Sequence, residues 1–289
     1  MNLIRKIKIC FVFVLALFVT SCSADDDIKG TSNSANSTSS DISSISEEYG
    51  NIESNNVIVF LQGGPEYTLG SITNLIEGSE TQSELWVNVH QVQTRDPNLF
   101  ETNEISFDEA KEYAKVNAEN VDKVITHFKN QGKTVYLVSV SYGSFIAADY
   151  IARFGVNNIE KAMLIAGRLD LDDALWTNFS QGDEGIFEYD SNGNASLVLE
   201  SAIGAGERNK NKLAAALGYK RYTELWSNLP MLSKIGFVWG TRDERTGRLT
   251  QVEKDFLLSK NAQILQVDGA THQEAALEGA SNIRSFFEL

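Results

Sequence analysis

The 289-residue chain has only two cysteines, three histidines and no long run of basic residues. Both cysteines, Cys10 and Cys22, lie near the N-terminus. The rest of the chain therefore has no thiol for a disulfide, for cysteine-based catalysis or for a thiolate metal site. The formal net charge is −14. An acidic chain without a basic run argues against a nucleic-acid partner.

The N-terminal segment has the pattern of a signal peptide. Three basic residues precede the apolar stretch 9–19, which is shorter than an ordinary membrane-spanning helix. The stretch is followed by Val-Thr-Ser-Cys, which resembles the lipobox of bacterial lipoproteins. This resemblance implies that residues 1–22 form a lipoprotein signal peptide and that a lipid on Cys22 anchors the protein to a bilayer. A plain secretory signal peptide cleaved elsewhere is the alternative.

Residues 23–50 are rich in Ser, Asn, Asp and Thr. Such a composition offers little to bury, and we expect a flexible tether. Serine rather than aspartate follows Cys22, which implies an outer-membrane lipoprotein facing the periplasm or the cell surface. The acidic triplet 25–27 is similar to the surface-export signal of Bacteroidota lipoproteins. The folded part is then expected at 51–289, a suitable length for one α/β domain.

Six short apolar runs alternate with helical stretches along the folded part. This alternation predicts βαβ units and six strands, all parallel, although a further strand near residues 49–52 remains open. Two helices are marked by capping boxes, one beginning at Ser106 and one at Thr250. The predicted strands are 57–61, 85–89, 135–140, 161–165, 235–239 and 263–267.

A serine stands between the third predicted strand and a helical segment. Ser141 has small residues two positions to either side, Ser139 and Gly143. Small neighbours are needed where a serine sits in a sharp turn from strand to helix, the pattern of a nucleophile elbow. Such short runs also occur by chance, so the interpretation depends on the rest of the chain.

Three further features follow other strands in the order that a serine hydrolase requires. The first strand leads into Gln62-Gly63-Gly64-Pro65, a loop that can offer a backbone N–H to an oxyanion. Asp243 follows the fifth strand, and His272 follows the sixth. The chain order serine, aspartate, histidine is the one described for a nucleophile elbow of this kind.

Each candidate has competitors. His90 lies at a predicted strand and His127 near the end of a helix, where a cation suits the dipole, so His272 is the expected general base. Asp170 after the fourth strand is an alternative acid, and Glu244 lies one place beyond the expected spacing. The neighbouring serines, 139 and 144, lack small residues on both sides.

Taken together, these motifs resemble the serine-hydrolase branch of the α/β-hydrolase superfamily over about residues 55–289. The resemblance implies an α/β-hydrolase fold with helices on both faces of the sheet and a helical cap inserted at about 171–230. It also implies a catalytic triad and a backbone oxyanion hole. The implied catalytic residues are Ser141, Asp243 and His272, and the implied oxyanion donors are Gly64 and Tyr142.

We expect an esterase that acts on a small-molecule acyl substrate through an acyl-enzyme on Ser141. No His, Asp or Glu cluster has metal-ligand spacing, so neither a metal nor a cofactor is expected. Gln62-Gly63-Gly64-Pro65 is similar to the His-Gly-Gly-Pro-Gly of prolyl aminopeptidases but lacks the His and the last Gly. An exopeptidase with a peptide substrate is therefore one alternative. A catalytically silent surface-binding lipoprotein on the same fold is another, because fold alone does not imply activity.

Overall fold

The computed structural model describes residues 41–70, 72, 83–218 and 221–289. The predicted signal peptide, Cys22 and most of the predicted tether lie outside these residues and stay predictions. No helix within the described ranges is long and apolar enough to cross a membrane.

The strands of the described residues are β1 (Ser46–Gly50), β2 (Asn56–Leu61), β3 (Leu85–Val89), β4 (Thr134–Val140), β5 (Ala162–Ile165), β6 (Glu184–Tyr189), β7 (Ala195–Glu200), β8 (Ile235–Gly240) and β9 (Gln263–Val267). Seven of them form one sheet, in the order β1-β3-β2-β4-β5-β8-β9, and β6 pairs with β7 in a separate hairpin. All six strands predicted from sequence are present in the large sheet and pair in parallel.

The expectation that all strands are parallel is wrong at one edge of the sheet. Strand β1 pairs antiparallel with β3, in a register that joins Ser46 to Val89 and Gly50 to Leu85. Its sequence, Ser-Glu-Glu-Tyr-Gly, is polar and largely exposed. A short, charged edge strand discourages pairing with another chain. The strand overlaps the position near residues 49–52 that the sequence left open, and it has no apolar run that would mark its bounds.

The ordered domain also begins earlier than residue 51. Ile42 and Ile45 are buried in the core, and β1 follows directly. The predicted boundary between tether and domain at residue 50 is therefore too late, because two isolated isoleucines among serines do not form a recognisable pattern.

Nine helices flank the strands within the described residues. They are α1 (Val92–Arg95), α2 (Pro97–Thr102), α3 (Phe107–Asn130), α4 (Tyr142–Phe154), α5 (Asp173–Ser180), α6 (Ala205–Gly218), α7 (Tyr222–Leu225), α8 (Gln251–Ser259) and α9 (His272–Phe287). The capping boxes predicted at Ser106 and Thr250 are both formed. A third, at Thr271, opens α9.

Alternate residues of the central strands face two hydrophobic cores. Val57, Val59 and Leu61 of β2 pack with α3 and α4 on one side, and Ile58 and Phe60 pack with α9 on the other. Alternation of side chains across a strand produces this division. The sheet is thus covered by helices on both faces, as the resemblance implied.

The segment between β5 and β8 forms the expected insertion, but it is not entirely helical. It contains α5, the β6–β7 hairpin, α6, α7 and a short 3-10 helix at Trp226–Asn228. The hairpin pairs Glu184 with Glu200 and Tyr189 with Ala195. Its turn contains Asn192-Gly193, with Gly193 at φ 79°. An Asn-Gly pair between two apolar runs favours a hairpin, and this was the signal that the sequence prediction missed.

Candidate active site

Ser141 lies in a strained turn between β4 and α4. Its φ of 53° and ψ of −118° are rare for a residue with a side chain, and such strain is concentrated at functional sites. The Ser141 backbone N–H donates to the Ile165 carbonyl at 2.8 Å, which ties the turn to the end of β5. A Cβ on Gly143 would lie 2.2 Å from the Leu61 carbonyl oxygen, so this position requires glycine.

The structure brings the three predicted catalytic side chains together. His272 Nε2 lies 2.8 Å from Ser141 Oγ, and His272 Nδ1 lies 2.7 Å from Asp243 Oδ2. The Asp243 side chain is 1% exposed and the His272 side chain 15% exposed. The imidazole therefore connects a reachable hydroxyl to a buried carboxylate.

The loop around Asp243 satisfies the buried carboxylate. Oδ1 accepts backbone N–H groups from Arg245 at 2.9 Å and from Thr246 at 2.8 Å. Oδ2 accepts the Thr246 hydroxyl at 3.1 Å in addition to the ring of His272. A buried charge is tolerated only when it is paired and hydrogen-bonded, and these four contacts meet that condition.

The competing acid and bases have other partners. The Asp170 carboxylate accepts the backbone N–H of Thr223 at 3.2 Å and also its hydroxyl. His90 Nδ1 is 2.9 Å from Thr94 Oγ1, and burial lowers the pKa of His90. His127 Nε2 is 2.7 Å from the side-chain amide of Gln131. None of these groups occupies the position next to Ser141.

The competing serines are buried inside the turn. Ser139 Oγ lies 3.3 Å from the Met163 carbonyl, and Ser144 Oγ donates to the Ile165 carbonyl at 2.9 Å. Both side chains are almost completely inaccessible. They brace the turn against β5, and Ser141 is the serine that faces the cavity.

The loop after β2 packs against the Ser141 turn. A Cβ on Gly63 would lie 3.4 Å from Ser141 Cβ, and a Cβ on Gly64, at φ 135°, would lie 2.3 Å from the backbone nitrogen of Glu66. Gly64 and Tyr142 both line the cavity. Tyr142 is the first residue of α4, so its backbone N–H belongs to the donors that a helix leaves free at its N-terminus.

Gln62 holds this loop in place through its side-chain amide. Its Nε2 donates to the Thr68 carbonyl at 2.9 Å, and its Oε1 accepts the Gly70 backbone N–H. Gln91 in turn donates to the Gln62 carbonyl at 2.9 Å. The amide side chain therefore cross-links the two ends of the loop.

A cavity of about 560 Å³ lies over Ser141. Its walls combine the loops that carry Ser141 and His272 with α5, β6 and α6 of the insertion, so the insertion lies over Ser141. The apolar lining residues are Pro65, Val140, Phe145, Leu171, Phe179, Ile186, Ala214 and Ala276, and the charged ones are Glu66, Glu184, Glu207, Lys210 and Arg245.

The cap is joined to the glycine loop by polar contacts. Lys210 Nζ lies 3.5 Å from Glu66 Oε2 and 3.3 Å from Glu207 Oε1. The Tyr67 hydroxyl donates to the Gly206 carbonyl at the start of α6. Burial raises the pKa of Tyr67, so its hydroxyl stays a donor at neutral pH.

The hairpin of the cap is joined to the loop that carries the acid. The Tyr189 hydroxyl donates to the Asp243 carbonyl at 3.0 Å, and the Phe187 N–H donates to the Glu244 carbonyl at 2.9 Å. The Phe187 ring covers Gly247, where a Cβ would come within 2.7 Å of it. Sequence analysis found none of these contacts, because they join elements far apart in the chain.

No group of three or more His, Cys, Asp or Glu residues in the described part of the chain could hold a metal ion. The site itself presents the Ser141 hydroxyl within hydrogen-bond distance of His272, beside the N-terminus of α4.

No family model matches the chain and no curated protein matches its sequence, but solved structures do match. An α/β-hydrolase enzyme from a Medee basin deep-sea metagenome library is 13% identical, with 84% of this chain and 94% of that one covered and a TM-score of 0.54. The peroxisomal α/β-hydrolase of Saccharomyces cerevisiae is also 13% identical, with 84% and 81% covered and a TM-score of 0.53. A lipase in an open form is 12% identical, with 84% and 93% covered and a TM-score of 0.54.

At these identities the likeness establishes the fold. The chain has the α/β-hydrolase fold, with a mostly parallel seven-stranded sheet and helices around it. In doubly wound sheets, sites lie at the carboxyl ends of the strands. Ser141, Asp243 and His272 follow β4, β8 and β9 at that end.

Proposed function

We propose that the protein is a serine hydrolase that cleaves an ester through an acyl-enzyme on Ser141. The observation that carries this proposal is the position of His272, whose two ring nitrogens lie 2.8 Å from the Ser141 hydroxyl and 2.7 Å from the Asp243 carboxylate. A nucleophile beside a base, and a base oriented by a third group, is the arrangement that activates a serine.

In the first half-reaction, Ser141 Oγ attacks the ester carbonyl carbon while His272 Nε2 takes the hydroxyl proton. Asp243 holds the tautomer that leaves Nε2 free and stabilises the imidazolium that forms. The backbone N–H groups of Gly64 and Tyr142 receive the negative charge on the carbonyl oxygen. The carbon–oxygen bond to the leaving group then breaks, and the alcohol departs with the proton from His272.

The second half-reaction repeats these roles with water. His272 takes a proton from a water molecule, whose oxygen attacks the acyl carbon on Ser141. The tetrahedral intermediate collapses, the proton returns to Ser141 Oγ, and the carboxylic acid is released. No oxidant, metal or cofactor enters either step.

The lining of the cavity favours an ester over an N-terminal peptide. An exopeptidase needs a carboxylate to receive the substrate ammonium, and two of the three lining glutamates, Glu66 and Glu207, share the cation of Lys210. The apolar wall suits an uncharged acyl chain. Glu184, at the first residue of β6, is the residue on which the exopeptidase alternative would depend.

The test is a panel of p-nitrophenyl esters of increasing acyl length beside aminoacyl p-nitroanilides, with Ser141→Ala as the matched control. The ester proposal predicts Ser141-dependent turnover of the esters. Turnover of the anilides alone would favour the exopeptidase. If neither series reacts and Ser141 also resists a fluorophosphonate, the silent binding protein is the better interpretation.

Membrane attachment through Cys22 stays a proposal that rests on the sequence. We propose that Cys22 is lipidated and that the domain is displayed on a bilayer surface, in the outer membrane. Cys22→Ala should release the protein from the membrane fraction or block its processing. A variant that is processed and fractionates as before would contradict this.

A further inference from the structure

Two consecutive acidic residues hold the same histidine. Asp243 Oδ2 contacts the ring at Nδ1, and Glu244 Oε2 accepts the backbone N–H of His272 at 3.0 Å. His272 is the first residue of α9, after the N-cap Thr271. Its N–H is therefore one of the donors that have no partner within the helix.

Glu244 is itself fixed from two sides. Its carbonyl oxygen accepts the Phe187 N–H of the cap hairpin, and its neighbour Asp243 is held through the carboxylate contacts described above. The loop after β8, which carries Glu244, also lies close to the loop before α9 along the backbone. Arg242 N–H donates to the Ala270 carbonyl at 2.9 Å, and a Cβ on Gly240 would lie 2.4 Å from that same carbonyl oxygen.

The contact from Glu244 is additional to the capping of α9. The capping box already joins Thr271 and Glu274: the Thr271 N–H donates to Glu274 Oε2 at 2.8 Å, and the Glu274 N–H donates to Thr271 Oγ at 3.3 Å. The Glu244 carboxylate accepts the N–H of the residue that carries the imidazole through Oε2, and its Oε1 lies 3.9 Å from Arg245 Nε of the same loop. A helix cap alone does not require a residue from the acid loop.

We propose that Glu244 is a positioning residue for the reaction, which fixes the main chain of His272 so that its ring spans Ser141 and Asp243. This inference rests on the proposed function. The contact at Nδ1 orients the ring, whereas the contact at the backbone fixes the point from which the side chain extends. A displacement of about 1 Å at reacting atoms lowers a rate about a hundredfold, so a second anchor has a measurable effect.

The experiment compares Glu244→Ala, Glu244→Gln and the matched control Glu274→Ala by steady-state kinetics and thermal unfolding. Glu244→Ala should lower kcat by about 10- to 100-fold with little change in KM, because ground-state binding is not touched. Glu244→Gln keeps an oxygen that accepts the N–H and should recover most of that loss. Glu274→Ala removes half of the capping box and should lower Tm while kcat stays near that of the unchanged protein.

Three results would overturn the inference. One is a kcat for Glu244→Ala equal to that of the unchanged protein. Another is an equal loss of kcat in Glu244→Ala and Glu274→Ala, which would mean that the helix end as a whole is needed. The third is a Glu244→Gln variant as slow as Glu244→Ala. These results bear on Glu244 only if the Ser141→Ala variant is inactive. If Ser141→Ala is active, the proposed function itself is contradicted.

Discussion

The central sheet and the hairpin of the cap differ in how far their strands are buried. Strands β2, β4 and β8 are buried almost throughout, whereas the hairpin strands β6 and β7 leave many residues exposed. Burial of apolar surface is the dominant favourable contribution to folding. We therefore expect changes in the sheet to affect folding and chemistry together, and changes in the cap to affect the choice of substrate.

The cap is attached to the loops that carry the proposed catalytic residues. Tyr189 and Phe187 bind the loop of Asp243, and Tyr67 joins the glycine loop to α6. The cap is thus hydrogen-bonded directly to the loops on which Asp243 and Gly64 lie. The following variants test whether the two regions differ as described, from the largest expected effect to the smallest.

Loss of the base or of the acid should have the largest effect. His272→Ala and Asp243→Asn should each lower kcat/KM for a p-nitrophenyl ester by about 10⁴-fold or more, because triad residues act as a unit. Asp170→Asn is the matched control, since its carboxylate binds Thr223, and it should stay active. Activity in Asp243→Asn together with its loss in Asp170→Asn would show that the acid follows β5 instead.

Two glycines, Gly143 at the start of α4 and Gly206 in the cap, should respond differently to alanine. Gly143→Ala places a Cβ 2.2 Å from the Leu61 carbonyl oxygen and should destabilise the protein by at least about 1–3 kcal/mol. Gly206→Ala in α6 places its Cβ 3.6 Å from the Tyr67 ring, an ordinary contact, and should change stability little. Thermal and denaturant unfolding measure both. Equal losses would contradict the difference in surroundings between these two glycines.

Truncation of the cap wall should alter substrate preference more than turnover. Ile186→Ala and Phe179→Ala enlarge the cavity at the cap side. Each should change the ratio of kcat/KM between short and long acyl esters by roughly tenfold, with a smaller change in Tm than for Gly143→Ala. A uniform fall in kcat for every acyl length would place these residues in the chemistry rather than in selection.

The ion pairs between Glu104 and α6 should have the smallest effect. Hydrogen bonds from Lys212 and Arg208 lower the pKa of Glu104, whose side chain is 44% exposed. Glu104→Gln should cost less than about 1 kcal/mol at neutral pH, because solvent screens the exposed carboxylate and Lys212 keeps its hydrogen bond to the Ile105 carbonyl.

The pH dependence of that effect has a definite sign. A carboxyl whose pKa is lowered by folding adds stability above its ordinary pKa, and this is lost as the pH falls through the lowered value. The difference in Tm between Glu104→Gln and the unchanged protein should therefore shrink on acidification. A difference that grows in acid would contradict the assignment.

The parts of the fold that follow from burial were predictable from sequence. Strands buried on both faces read as continuous apolar runs, as in β2, β4 and β8. All six apolar runs form strands, including the more exposed edge strand β9. Ser141, Asp243 and His272 were predicted to lie close together because each follows a strand. The carboxyl ends of parallel strands lie at the same end of a sheet.

Other parts depend on contacts that leave no local pattern. Strand β1 is polar, and it forms because β3 offers an unpaired edge. Glu244 and Tyr189 act through single hydrogen bonds to residues distant in the chain, and no spacing rule connects them. The β6–β7 hairpin does have a local pattern, because Asn192-Gly193 favours a turn. The expectation of a helical cap did not take this pair into account.

Labelling with a fluorophosphonate, read by intact mass and peptide mapping, tests the central claim most directly. The reagent phosphonylates a serine that a neighbouring base activates. The account predicts one adduct per chain, on the peptide that contains Ser141, and none in Ser141→Ala, while Asp170→Asn labels normally. A folded protein that takes up no label, or an adduct that persists in Ser141→Ala, would contradict it.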